Sequence, residues 1–308
     1  MLKTVKGIFG SKIVRFLFSV GLVYFAFRKI DVGNLLTQLR MVPWWFLVVM
    51  IAYLFFSMGI GAIRWALVIL DKPSWTDFKK FLNASFRGNF YSLFFPSAVG
   101  GDIVKWLPLV SQYPSLSKTK LASSVLVDRI IGLSAFVFMA FVSALVGKML
   151  NFRYPNYLFW MFFLLFLVTL LFYVLVFTVD FHKIFGKFVF MRRVLVVLDA
   201  FKGENKKRVF LCLLISIVSE PVWILPNYFY SLLFGTGMSL LSIFIFLPII
   251  NLIIVLPISF AGFGARENLF IFFFGQLGLS TEKILLVSTF SGIMNILNAL
   301  LGGLISLI

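Results

Sequence analysis

Eight ionisable residues stand within or beside long apolar runs: Arg64, Asp102, Lys105, Asp128, Arg129, Glu220, Arg266 and Glu267. At the centre of a bilayer each would cost about 2.5–3.5 kcal/mol on insertion scales, so such groups are expected to face a cavity and one another. Four are basic and four acidic, so they balance in sign. Asp102 follows Pro96 and the pair Gly100-Gly101. Glycines permit close backbone approach and positive φ, so backbone N–H groups could converge on an anion there while the carboxylate engages a cation. Lys105, one turn on, falls on the same helical face. The plainer alternative is a tight turn in which Asp102 caps the next helix.

Asp128 and Arg129 are adjacent, so on a helix their side chains diverge by about 100° and each needs its own partner. Arg64 or Arg266 would suit Asp128, either as a buried structural pair or as part of a substrate site. Arg266-Glu267 follows Gly262-Phe263-Gly264. That break leads into a helix whose N-terminal dipole favours a phosphate-like group. Glu220 precedes Pro221, with Pro226 a turn and a half further on. A local hinge and a proton-coupling carboxylate are both open for it.

Other chemistries find few residues. The one histidine, His182, sits in a basic segment, which excludes a histidine-based triad or a multi-histidine metal site. The one cysteine, Cys212, lies in an apolar run and allows no internal disulfide. The glycine-rich stretches match no P-loop. No metal and no cofactor is expected.

The elements that must position these charges are membrane helices. The chain of 308 residues is 61% hydrophobic, against about 45–50% for a soluble domain, and no water-soluble fold could cover that surface. Full spans are expected at 13–27, 43–70, 121–147, 157–179, 209–234 and 284–307. Two further segments, 81–110 and 241–279, are apolar but interrupted by proline and clustered glycines. Such breaks free backbone groups that in lipid must be buried in protein or line a wet cavity, so both segments are candidates for broken or re-entrant helices. The fold class is therefore an all-α polytopic membrane protein, one domain over 1–308, with about six full spans and two broken segments. The basic segment 180–208 alternates apolar and charged residues, as an interfacial amphipathic helix or a solvated hairpin would.

A net charge of +17 could suggest nucleic acid, but the basic residues lie in short loops beside apolar spans, where anionic headgroups attract them. No nucleic-acid partner is expected. With a cytoplasmic N-terminus, the loop cations of 1–15, 72–120 and 180–208 fall inside. Only Arg28, Lys29, Arg40, Lys148, Arg153 and Lys283 fall outside. This roughly threefold bias satisfies the positive-inside rule. The same topology opens 81–110 to the cytoplasm and 241–279 to the outside, the opposed arrangement of inverted-repeat transporters, although no internal sequence repeat accompanies it. The start of the chain, basic and then apolar, lacks a small-residue cleavage site and is expected to be an uncleaved first helix.

An ordered set of motifs carries a resemblance. It runs Arg64-Trp65; Asn89 with Pro96, Gly100-Gly101-Asp102 and Lys105; Asp128-Arg129-Ile130-Ile131-Gly132; and Pro257-Ile258-Ser259 with Gly262, Gly264, Arg266 and Glu267. Together these resemble the lysylphosphatidylglycerol synthase transmembrane-region family, also called flippase-like, which includes the membrane half of the multiple peptide resistance factor. The resemblance implies a helical bundle with re-entrant segments that translocates an aminoacylated phospholipid or a polyprenyl-phosphate-linked lipid. It places Asp102, Arg129, Arg266 and Glu267 around a central cavity. No soluble aminoacyl-transferase domain accompanies the motifs, so synthase activity is not expected. Lys105 stands where relatives are expected to carry arginine, which keeps the charge and loses bidentate phosphate recognition.

The function expected is a stand-alone lipid flippase of the cytoplasmic membrane, not an enzyme. Its headgroup-binding set is Arg64, Asn89, Gly100, Gly101, Asp102, Lys105, Asp128, Arg129, Arg266 and Glu267, with Glu220 available for coupling. Its partners are membrane lipids, anionic or polyprenyl-phosphate-linked; self-association and a separate lipid-modifying enzyme are open. Two other classes stay in view: an intramembrane lipid-phosphate transferase with Asp102 or Glu267 as base, and an ion-coupled transporter of a soluble solute.

Overall fold

The computed structural model describes residues 37, 40–94, 99–181, 183, 192–199, 201, 205–255 and 265–306. Every regular element among them is helical. The expected span at 13–27, Pro96, His182 and the stretch 257–264 lie outside the described residues.

Five helices are long and apolar enough to cross a membrane: α1 (Trp44–Ile69), α5 (Lys118–Met149), α6 (Asn156–Thr178), α8 (Asn205–Leu233, apolar beyond Arg208) and α11 (Thr281–Ile305). They correspond to the spans expected at 43–70, 121–147, 157–179, 209–234 and 284–307. The protein is an all-α, multi-pass membrane protein. At 1.5 Å per residue α1 alone reaches about 39 Å, more than the hydrocarbon thickness of about 30 Å. Pro43 precedes α1 at φ −60°, a geometry its ring already enforces, and so starts the helix cleanly. Tyr157 and Trp160 stand exposed at the start of α6, where Lys148 lies 4.0 Å from the Phe159 ring and 5.4 Å from the Trp160 ring. Amphipathic rings beside a cation mark a membrane–water interface.

At the centre, α8 packs against both α1 and α5, and α5 also packs against α6 and against α9 (Leu240–Val255). Trp65 of α1 is fully buried, edge-on to Phe81 at 4.8 Å, and its Nε1 donates to Ser124 Oγ at 3.0 Å. That bond satisfies the only polar atom of a large side chain where no water competes. Pro221 and Pro226 lie inside α8, so the carbonyls of Ile217 and Val222, four residues back, have no N–H from those positions.

Each interrupted segment contains helix on either side of residues outside the description. The first holds α2 (Trp75–Ser92), then α3 (Val99–Lys105) and α4 (Leu107–Gln112), with α3 folded along α2. The second holds α9 and α10 (Ala265–Gly275), which pack on each other, and α10 also lies against α11. From 180–208, α7 (Arg192–Asp199) packs on α5 and buries Leu195, with Phe201 just beyond it.

Helix α2 begins at Trp75, ahead of the boundary expected at 81, because a capping box holds its start. Ser74 Oγ accepts from Asp77 N at 3.2 Å, and Asp77 Oδ2 accepts from Ser74 N at 2.9 Å. The Tyr113 hydroxyl donates to Asp77 Oδ1 at 2.5 Å and ties α2 to the end of α4. That hydroxyl first, and Ser74 second, hold the Asp77 carboxyl below its usual range. A depressed folded-state value means the contribution to stability is complete above the unfolded value of about 3.9 and is lost as pH falls through the folded one. Tyr113→Phe is therefore expected to narrow the fall in melting temperature between about pH 5 and pH 3 relative to wild type, followed by tryptophan fluorescence. Equal acid sensitivity in the two proteins would show that this bond contributes nothing.

Candidate functional site

A cavity of about 480 Å³ lies where α1, α2, α3, α5, α8, α9, α10 and α11 meet. That equals the liquid volume of about sixteen waters and falls within the usual range of ligand sites. Of the residues singled out by sequence, Arg64, Asn89, Gly101, Asp102, Lys105, Asp128, Arg129, Glu220 and Arg266 all line it. Gly100 lies in α3 beside Gly101. Glu267 follows Arg266 in the first turn of α10 and is not among the lining residues.

Two ion-paired groups organise one wall. Arg64 Nε donates to Asp128 Oδ1 at 2.8 Å, and its Nη1 donates to Ser216 Oγ at 3.0 Å. The other Asp128 oxygen lies 3.5 Å from Lys105 Nζ, which also sits 4.3 Å over the Trp65 ring. Asp128 thus joins α1, α3 and α5 through two cations. Arg129, turned away from Asp128 on α5, donates from Nε to Asp102 Oδ2 at 2.5 Å. Arg64 has room because α5 carries glycine at its side: a Cβ on Gly132 would sit 3.4 Å from both guanidinium Nη atoms.

Several sequence expectations acquire a different physical basis. Asp102 lies within the first turn of α3, beyond the capping position, and its partner is Arg129. Lys105 does share the cavity with Asp102 but reaches Asp128, a link the spacing did not suggest. Gly101 serves helix packing and has no positive φ. A Cβ there would meet the Gly88 carbonyl oxygen at 2.2 Å, so α2 and α3 touch backbone to backbone. That contact lets Asp102 and Lys105 reach the cavity from a short helix.

Uncharged polar groups that sequence charge did not reveal share the lining: Asn227 of α8, Asn251 of α9, and Ser291, Asn295 and Asn298 of α11 present amides and a hydroxyl to the same cavity, joining the expected Asn89 of α2. The Nδ2 groups of Asn89 and Asn298 both point to Met58 Sδ, at 3.9 and 3.6 Å, a weak acceptor. The signal was present in the sequence: positions 291, 295 and 298 are spaced by four and three on α11, which places three polar side chains on one face.

The cavity lining therefore combines four cations and three carboxylates with a set of amides, inside a bundle of apolar spans. The family model described as Lysylphosphatidylglycerol synthase TM region matches residues 12–302. The chain belongs to that family. No curated protein and no solved structure matches it. The match spans every charged side chain of the cavity.

Proposed function

We propose that the protein is a lipid flippase of the cytoplasmic membrane, which accepts an anionic, aminoacylated or polyprenyl-phosphate-linked headgroup in the cavity while the acyl or prenyl chains stay in the bilayer. The observation that carries this reading is the cavity itself, a charged and amide-lined space ringed by spans of nearly uninterrupted apolarity. Bringing so many polar groups to membrane depth is costly unless something polar passes or binds there. Arg129, the more exposed member of its pair at 28% against 17% for Asp102, is placed to exchange part of its carboxylate contact for phosphate. Arg266, in the first turn of α10, brings a second guanidinium to the same space, with the helix dipole behind it. Membership of the family adds the link to lipid. In the orientation favoured by the positive-inside rule, the loop leading into α5 is cytoplasmic and headgroups enter past α2 and α3.

The test is translocation of fluorescent phosphatidylglycerol in reconstituted vesicles. A charge-assisted hydrogen bond contributes about 1.5–3 kcal/mol, so Arg266→Ala is expected to slow translocation by about tenfold to a hundredfold. An unchanged rate in a folded Arg266→Ala protein would remove the role assigned to that residue.

A further inference from the structure

One carboxyl group in the cavity is served unlike the others. Asp128 has two cations and Asp102 has Arg129. Glu220 is only 2% exposed, lines the cavity, and its Oε2 is buried with no hydrogen-bond partner. Removing a carboxylate from water without a donor for each oxygen costs several kcal/mol, whereas a neutral carboxyl group pays far less. The charged and titratable groups of the helices against α8 are few. From α1 come Tyr53 and Arg64; from α5, Asp128 and Arg129, with Lys118, Lys120 and Lys148 near its ends; from α9, none; from α11, only Glu282 and Lys283 at its start. Arg64 and Asp128 are the charges that act on Glu220. Arg64 is already committed, through Nε to Asp128 and through Nη1 to Ser216.

From this geometry we infer that Glu220 is a proton-binding site, and that its proton travels with an anionic headgroup so that a proton gradient drives lipid movement through the cavity. The inference deepens the flippase reading and rests on it. When Glu220 takes a proton from solvent on the side to which the cavity is open, COO⁻ becomes COOH and the net charge of the cavity rises by one. Arg64 stays with Asp128, and the lining set favours an anion. When the proton leaves to solvent on the other side, the new carboxylate competes with Asp128 for Arg64, the surplus positive charge of the lining falls from two to one, and the anion is held less tightly and released. Proton and headgroup thereby raise each other's affinity, as linkage requires. The next residue, Pro221, leaves the Ile217 carbonyl without its helical donor, which puts the softest point of α8 beside the group whose charge changes.

The test uses the full chain in phosphatidylcholine vesicles with a trace of tail-labelled phosphatidylglycerol, scoring translocation with and without an imposed pH gradient, for wild type and Glu220→Gln. Infrared difference spectra of the same proteins across the pH range follow protonated carboxyl groups independently of transport. Wild-type translocation should change by up to about tenfold per pH unit of gradient, Glu220→Gln should be indifferent to the gradient, and one protonated-carboxyl band should be missing from its spectra. A wild-type rate indifferent to the gradient, or a Glu220→Gln protein that still responds, overturns the coupling. If no labelled lipid moves in either protein, the flippase reading fails by itself. The spectra then decide the proton site: a band lost in Glu220→Gln upholds it, and identical spectra overturn it.

Discussion

Asp128→Ala is expected to cost the folded protein about 3–5 kcal/mol, because removing one partner of a buried ion pair leaves uncompensated charge behind. Here it would leave two cations: Arg64, with the Ser216 hydroxyl and the field of Glu220, and Lys105, with the Trp65 ring. Cys212 supplies the measurement. It is the sole thiol, fully buried on α8, so a thiol-reactive fluorophore should report thermal opening of the bundle in detergent at neutral pH. The Asp128→Ala protein should react at much lower temperature than wild type. Replacing Arg64 and Asp128 together with leucine should recover part of the loss, since Lys105 can turn toward the cavity it already lines. If the single substitution left the opening temperature unchanged, Asp128 would not be the fastening between α1, α3 and α5 that its contacts describe.

The second large effect should follow from one methyl group. On Gly101 it would lie 2.2 Å from the Gly88 carbonyl oxygen and 2.8 Å from Ser92 Cβ, and ordinary contact begins near 3.4 Å. Gly101→Ala must therefore drive α3 away from α2 by about an ångström, at the upper end of the 1–3 kcal/mol typical of overpacking. Asp102 moves with it, so the Arg129 pair should break and translocation should be lost even in protein that still folds. A comparison with Gly303 isolates the cause. A methyl group there also clashes, at 2.3 Å, but with the Phe90 ring. Phe90→Leu should consequently relieve Gly303→Ala, whereas no side-chain substitution should relieve Gly101→Ala, because the main obstacle is main chain. Rescue of Gly101→Ala by a smaller residue at 92 alone would show that the backbone contact is not what limits the approach.

The spans were legible because nothing in their composition competes with the membrane, and the charged wall was legible because charge inside such spans is expensive enough to demand an explanation. Pairing was harder. Spacing on one helix shows that Asp128 and Arg129 point apart, but that Lys105 shares Asp128 with Arg64 depends on how closely α3 approaches α2, which two glycines set and hydropathy ignores. The start of α2 was placed late for a related reason. Its first turns carry Asp77, Lys79 and Lys80 and average out as loop, while the Ser74–Asp77 cap and the buried face of Phe81, Ala84 and Gly88 make them helix. Ser216 and the asparagines of α8, α9 and α11 went unremarked because they are uncharged, although Ser291, Asn295 and Asn298 follow helical spacing on α11.

The asparagines of the cavity differ from its arginines in what they can ask of a guest. A guanidinium only donates and a carboxylate only accepts, but a primary amide presents either edge after a half turn about its terminal bond. On the flippase reading, the charged groups would fix the sign of the headgroup, and the amides would adapt to its substituents. A sugar hydroxyl, an ammonium group and a glycerol oxygen could each find a matching edge without any change in the backbone, so on that proposed reading the cavity would be strict about phosphate and permissive about what hangs from it.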